Sequence, residues 1–481
     1  MTPETPPKTS PEIKPAIEEI EARAAALDIE DAFPDEDFGD ALLRLISDAI
    51  EDGDMTRARE LLLDQHYADA ADIIERMQPD DRAQLVLALG KDIDPDILPA
   101  LDEEVRDQVL GVLGVQNIAA AVEAMDSDDA VTVIEQLDSD ERRRVIQALP
   151  AEHRAGIEQA LAFPEHSAGR MMQREMVAVP EFWTVGDALH YLQNTGDDLP
   201  EDFYELFVVD LRHHPLGRVS TARLLRVRSE TPLREIIDED VEPIPATMDR
   251  EEVAMTFRDR DWVSAMVVDE DGRLIGRITV DDVLDVIDEE AEDDMLRLAG
   301  VSDSDIFHAV WQTVRSRFGW LCINLCTALM AATVIGLFEG TIQKVVALAA
   351  LMPIVAGLGG NAGTQTLAVS VRALAMKELM PGNARRVIGK EIVVGLANGM
   401  GLAVLAGSVA YFWFGTPMIG VVLASAMVVN LVVAGLAGIL IPLSLDRLGV
   451  DPAIASGVFL TALTDSVGFF AFLGLATVFL L

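Results

Sequence analysis

The chain has 481 residues, more than one ordinary hydrophobic core accommodates, and a formal net charge of −44. From Trp320 onward seven Lys or Arg stand against six Asp or Glu, which leaves 30 basic and 75 acidic residues, a net −45, in the first 319 positions. So acidic a front part excludes nucleic acid or an anionic membrane surface as its ligand and leaves solvent or cations as its counterpart.

Residues 1–40 are rich in Pro and Glu and are expected to be a disordered tail. Its first stretch, "MTPETPPKTSPEIKP", has no apolar core of the kind a cleavable signal peptide needs. Within the next domain, residues 41–163, a pattern recurs every 12 positions from 73 to 149, each unit offering two adjacent apolar residues and a third three positions on. The units are Ile73, Ile74, Met77; Leu85, Val86, Leu89; Ile97, Leu98, Leu101; Val109, Leu110, Leu113; Ala121, Val122, Met125; Val133, Ile134, Leu137; and Val145, Ile146, Leu149. That spacing marks one face of a short helix, and "QPDD", "DSDD" and "DSDE" supply the turns and N-caps between. Such helices cannot bury their stripes alone, so an all-α superhelix of stacked repeats is expected.

A second duplication occupies 164–290. "LFVVDLRHHPLGRVSTARLL" (206–225) and "AMVVDEDGRLIGRITVDDVL" (265–284) superimpose at an offset of 59, each reading strand, turn, strand, helix. The pair resembles tandem α/β CBS domains. That resemblance implies a regulatory module, either one able to bind an adenine nucleotide such as ATP, the ribose held by a Thr or Ser followed three residues later by Asp, or one in which both copies serve as a dimerisation and relay scaffold. Thr279 and Asp282 fit this pattern in the second copy, whereas the first copy has Ser220 and Arg223.

A connecting helix over 291–317 leads to five apolar runs at about 318–338, 345–375, 387–414, 418–445 and 453–481, each long enough to span a bilayer. Cys322 and Cys326, one turn apart in the first run, read as small packing residues. Arg315 and Arg317 precede the first span, and Arg372, Lys377, Arg385, Arg386 and Lys390 crowd the connection from second to third. Basic loops stay inside, which puts the N-terminal domains in the cytoplasm and the C-terminus outside the cell (inner) membrane.

Asp465 stands alone in the last span, where a carboxylate costs about 2.5 to 3.5 kcal/mol on insertion scales. The plain alternative is a protonated acid hydrogen bonded to Thr461 or Thr464. The second span, "MPIVAGLGGNAGTQTLAVSVRALA", carries Pro353, Gly357, Gly359, Gly360 and Gly363, which make a continuous helix poor there, with Asn361 and Gln365 adding amide oxygens; close helix packing through small residues is the competing reading of the glycines and leaves the two amides unexplained. "GLGGNA" also fits a dinucleotide-binding pattern, but no strand precedes it. Gly359, Gly360, Asn361, Gln365 and Asp465 are therefore candidates for an ion path. Oxygen ligands with no His or Cys favour Mg²⁺, Ca²⁺ or Mn²⁺, and Mg²⁺, which keeps its waters, suits a site with one carboxylate and many amides.

These parts in this order, with "PEHSAGRMM" (164–172), "GLGGNAGTQ" in the second span, "NLVVAGLAG" (430–438) in the fourth and "DPAIASGVFLTALTDSVGF" (451–469) leading into the fifth, resemble the MgtE family of magnesium channels or transporters. The resemblance implies a membrane homodimer, not an enzyme, whose two copies of Asp465 hold a hydrated Mg²⁺. It also implies a cytoplasmic Mg²⁺ sensor that closes the pore at high Mg²⁺, with matching acids at Asp96, Asp128, Glu251, Asp261, Asp282, Asp285, Glu290, Asp293 and Asp294; Thr132 stands where one further acid is expected. A coupled secondary transporter of divalent cations is the other reading, and Glu391 is the one further acid with a claim to a coupling site. Residue types alone do not separate Mg²⁺ from Mn²⁺ or Co²⁺.

Overall fold

The computed structural model describes residues 38–481 except 197–198, 201–202, 239–241, 299–300, 302–309, 381 and 454–455. Nearly all of the expected tail and part of the connecting segment lie outside the described residues. The chain forms two compact units, Met1–Val283 and Leu284–Leu481.

The first unit opens with short helices: α1 Phe38–Glu51, α2 Met55–Leu63, α3 Tyr67–Arg76, α4 Pro79–Leu89, α5 Ile97–Ala100, α6 Glu103–Leu113, α7 Val115–Ala124, α8 Ser127–Gln136, α9 Ser139–Ala148 and α10 Ala151–Ala160. One helix falls on each 12-residue unit, and every repeat residue named above is buried in one continuous core except Ile146, which packs on its edge. Leu98 is fully enclosed there, and its truncation to Ala would cost about 2 to 5 kcal/mol.

A second periodic device appears only in three dimensions. Arg82 donates to the carbonyls of Ile74, Glu75 and Met77, and Arg154 does the same to Ile146, Gln147 and Leu149. Arg106 and Arg142 cap Leu101 and Leu137 at matching positions. The last carbonyls of a helix have no partner within it, so an arginine from the next helix satisfies them and locks the stack.

The tandem α/β part holds β1 Ala178–Pro180, α11 Val185–Asn194, β2 Glu205–Val209, β3 Pro215–Ser220, α12 Thr221–Leu224, β4 Ile244–Pro245, α13 Arg250–Arg260, β5 Ser264–Val268 and β6 Leu274–Thr279. The sheets β1-β2-β3 and β4-β5-β6 share one topology, a parallel pair and then a hairpin, at the offset read from the sequence. The shared glycine of each copy is a close approach: a Cβ on Gly217 would lie 2.3 Å from the Asp238 oxygen, and one on Gly276 would lie 2.7 Å from that of Gln173. Asp210 and Asp269 cap the two hairpin turns through their Oδ1 atoms.

Helix α14, Val280–Leu298, runs from the first unit into the second. The second unit continues with α15 Val310–Gly336, α16 Glu339–Lys344, α17 Ala347–Ala375, α18 Ala384–Phe414, α19 Pro417–Arg447 and α20 Ser456–Leu480. Five of these, beginning with Thr313–Gly336 of α15, are long and apolar enough to cross a membrane.

Two expectations are corrected here. The second span does not break: α17 is one helix of 29 residues with Pro353 inside it. Its glycines open room for neighbours, since a Cβ on Gly359 would lie 2.1 Å from Asn430 and one on Gly363 would lie 2.9 Å from Leu460. In a bilayer no water competes for the backbone, so glycine favours close helix contact over unwinding. Cys322 and Cys326 are exposed on α15, not packed, because this helix meets the others along a narrow strip around Ala331.

Candidate ion-binding sites

Helices α17 and α20 run antiparallel: Gly359 and Gly468 both press on Asn430 of α19, while Gly363, further along α17, meets Leu460, earlier on α20. Asp465 lies three residues before Gly468 and Asn361 two after Gly359. At a rise of 1.5 Å per residue, that is about 4.5 Å and about 3 Å toward the same end of the bundle. The carboxylate and the first amide are therefore level, near the middle of their helices.

Among the described residues the Asp465 carboxylate has no hydrogen-bond or ion-pair partner. The threonines that could have paired with it are used otherwise, Thr461 donating to the Gly457 carbonyl at 2.8 Å and Thr464 to that of Leu460 at 3.0 Å. Asp465 is half-buried, whereas Asn361 and Gln365 are exposed in the single chain. Gly360 is open beside them, and Gly359 is not, being taken up by Asn430. Glu391, at the start of the third span, accepts a hydrogen bond from Thr366 of α17 at 3.3 Å.

The end of α14 holds a second cluster. Arg297 bonds Asp293 at 2.9 Å and Asp451 at 2.7 Å, and Leu298 joins a small core with Leu367, Val371, Ala437, Ala453 and Leu460. Burial, then the Asp451 charge, raises the pKa of Asp294 above the ordinary carboxylate range. Asp285 is exposed and Glu290 half-buried on the same helix. Asp293 and Asp294 were expected from the sequence, whereas Asp451, which opens the quoted "DPAIASG" stretch, was not.

In the first unit Asp128 and Asp282 meet. Their carboxyl groups share a hydrogen bond, and Asp128 is 6% exposed with its Oδ1 otherwise unpartnered. Burial raises the Asp128 pKa well above its usual value, the Asp282 and Asp129 charges adding to it. Asp282 is raised to about 6, chiefly by burial, against the opposing pull of the Thr279 hydroxyl, which donates to it at 2.5 Å. Asp126 is raised too, by burial and then by Glu175, with Arg277 opposing and Asp96 and Asp281 reinforcing. Asp126, Glu175 and Asp281 are additions to the sequence-derived set; the acidic stretches "DSDD" and "VDDVLDV" that hold Asp126 and Asp281 were the available signal, and no acidic stretch marks Glu175.

Glu251 and Asp261 are not brought together. They stand at opposite ends of α13, where Asp261 is the left-handed C-cap and the Glu251 amide is held by Asp249. Among the described residues no three His, Cys, Asp or Glu side chains converge into a closed metal cage. The Asp128–Asp282 pair is an open, oxygen-only donor set of the kind that suits a partly hydrated hard cation. Thr279 and Asp282 keep the spacing for a ribose, but both are engaged, with each other and with Asp128. In the first copy Ser220 instead caps α12 by accepting from the Arg223 amide.

Comparison with known proteins follows this division. A divalent cation transporter model, MgtE, matches residues 352–475, the MgtE intracellular N domain matches 65–166, and a CBS domain matches 233–289. The magnesium transporter MgtE of Bacillus subtilis is 32% identical over 444 residues, 92% of this chain and 98% of that protein. This chain belongs to the MgtE family. The magnesium transporter MgtE of Enterococcus faecalis is 36% identical over 320 residues, covering 66% of this chain and 70% of that one. Among solved structures, the cytosolic domain of the Mg²⁺ channel MgtE in complex with ATP is 30% identical and covers 51% of this chain and 99% of that domain, with a TM-score of 0.47.

The MgtE transporter segment includes Asn361, Gln365, Asn430 and Asp465, and the family's N-domain segment includes Asp96, Asp126 and Asp128. The CBS match contains Thr279 and Asp282 and leaves out β1-β2-β3, which nonetheless repeats the same fold.

Proposed function

We propose that this MgtE protein is a Mg²⁺-selective membrane channel that admits Mg²⁺ and is closed by cytoplasmic Mg²⁺ bound to its acidic residues. The observation that carries the reading is Asp465, unpartnered among the described residues and level with Asn361 in the middle of the bundle. A lone acid at that depth needs a cation or water, and a hydrated Mg²⁺ supplies both.

Exposed amides at the midpoint of α17 favour a homodimer, because lipid leaves Asn361 and Gln365 unsatisfied while a second copy covers them and adds a second Asp465. The basic residues between the second and third spans favour a multi-pass protein of the cell (inner) membrane with its N-terminal unit in the cytoplasm and the C-terminus outside. Regulation would use Asp128 and Asp282, with Asp96 and Asp126 near them, and on α14 Asp285, Glu290, Asp293 and Asp294. Glu251 and Asp261 would act with groups from elsewhere in the assembly. Bound Mg²⁺ supplies the positive charge that lets these carboxylates stay ionised at close range. ATP would take Thr279 and Asp282 only by displacing Asp128 from Asp282.

A coupled transporter is the second reading, favoured by Glu391, an acid at the membrane boundary held by Thr366. Bilayer recordings of the purified chain separate the two. The channel reading expects unitary currents that disappear as cytoplasmic-side Mg²⁺ rises, and flux strictly dependent on a Na⁺ or H⁺ gradient would overturn it.

A further inference from the structure

Asn430 is fully enclosed in the fourth span, and its surroundings leave it little freedom. Its Nδ2 donates to the Val355 carbonyl of α17 at 2.9 Å, while its Oδ1 has no partner among the described residues. Rotating the amide would set oxygen against the Val355 oxygen, so the orientation is fixed. A Cβ on Gly359 of α17 would stand 2.1 Å from this side chain and one on Gly468 of α20 would stand 2.7 Å from it. One amide thus fills a notch cut by two glycines on the two helices that carry Asn361 and Asp465. An apolar residue of similar size would fill the notch without leaving an oxygen unpaired, and buried polar groups at membrane depth mark function more often than stability.

We infer that Asn430 is a positioning residue for the ion path: through Gly359 and Gly468 it fixes the depth at which α20 carries Asp465 past Asn361 of α17. This rests on the function proposed above. A slip of one residue along either helix would displace the carboxylate by about 1.5 Å. That matters for an octahedral hydrated Mg²⁺, whose geometry is strict, more than for Ca²⁺, whose coordination is flexible. Asn430 therefore bears on selectivity without touching the ion.

The test uses the full-length chain in proteoliposomes, wild type beside Asn430→Ala and the double variant Asn430→Ala with Gly468→Ala, whose added methyl enters the vacated space. Mg²⁺ and Ca²⁺ fluxes are measured on each, together with assembly by size exclusion and thermal unfolding. The expectation is that Asn430→Ala lowers the Mg²⁺ to Ca²⁺ flux ratio by about tenfold, since the strict octahedral shell of Mg²⁺ tolerates a displaced carboxylate less than the flexible one of Ca²⁺. The double variant should recover thermal stability but not the ratio. An unchanged ratio in either assembled variant makes Asn430 a packing residue and overturns the inference. A wild-type chain that carries no Mg²⁺ overturns the function reading instead, so the two failures are distinct.

Discussion

The Asp128 carboxyl donates a hydrogen bond to that of Asp282, joining a helical repeat to the helix that follows the second β-sheet. Both folded-state pKa values are raised, mainly by burial, so the fold favours the protonated pair; Asp281 and Asp129 lie close enough to add to the repulsion once protons leave. For a raised carboxylate the contribution to stability is full below the ordinary range and is lost as pH rises through the folded value. For Asp282 that window runs from about 4 to about 6. Metal-free protein should therefore lose stability across this interval, by at most about 3 kcal/mol for a shift of this size. Asp128→Asn keeps the donor without the charge, so at pH 7 without Mg²⁺ it should unfold a few degrees higher, while gaining less from added Mg²⁺. Thermal unfolding of both proteins with and without Mg²⁺ measures it, and a lower melting point for the variant would contradict the geometry.

Arg297 bridges Asp293 and Asp451 with side chains about a third exposed, so the pair itself contributes only about 1 kcal/mol or less. Its effect should be on closure. It pins the end of α14 to the loop that leads into α20. Asp451→Asn is expected to leave Mg²⁺ permeation intact and to raise the Mg²⁺ concentration needed for closure several-fold. A titration of channel closure in the variant checks this, and an unmoved midpoint would refute it.

The glycines of the membrane unit divide by what surrounds them. A Cβ on Gly438 would lie 2.8 Å from Thr366 and 3.0 Å from the Gly363 oxygen, whereas Gly357 and Gly360 have nothing within 4 Å. Gly438→Val should abolish assembly or cost at least about 2 kcal/mol. Gly360→Ala should assemble normally. Size exclusion and thermal unfolding in detergent give both answers.

Asn361 and Gln365 face outward from one chain. With Cys322→Ala and Cys326→Ala as background, Gln365→Cys should form a disulfide-linked pair of chains under mild oxidation in membranes. Monomers alone, with efficient labelling of the cysteine by a thiol reagent, would argue against a dimer built on this face.

The superhelix was legible because its apolar period is strict, and the α/β repeat because strand, turn and shared glycine recur at one offset. Asp465 stood out because a charge in an apolar run is costly whatever the tertiary contacts. The arginines that cap successive helices escaped notice because Arg82, Arg106, Arg142 and Arg154 occupy only some of the units. Of the two readings of the glycines in α17, close packing holds and the break does not, because glycine and proline signal a turn in water but close packing in a membrane. Asn430, Arg297 and Asp451 gave no periodic signal, since their importance lies in what they touch across the fold.

The central claim is that Asp465 forms the ion site. Mg²⁺ uptake into proteoliposomes loaded with a Mg²⁺-sensitive dye, wild type beside Asp465→Ala with assembly verified for both, tests it most directly. The assembled variant should either lose Mg²⁺ flux or pass Mg²⁺ and Ca²⁺ alike. Selective Mg²⁺ uptake at the wild-type rate in that variant would contradict it.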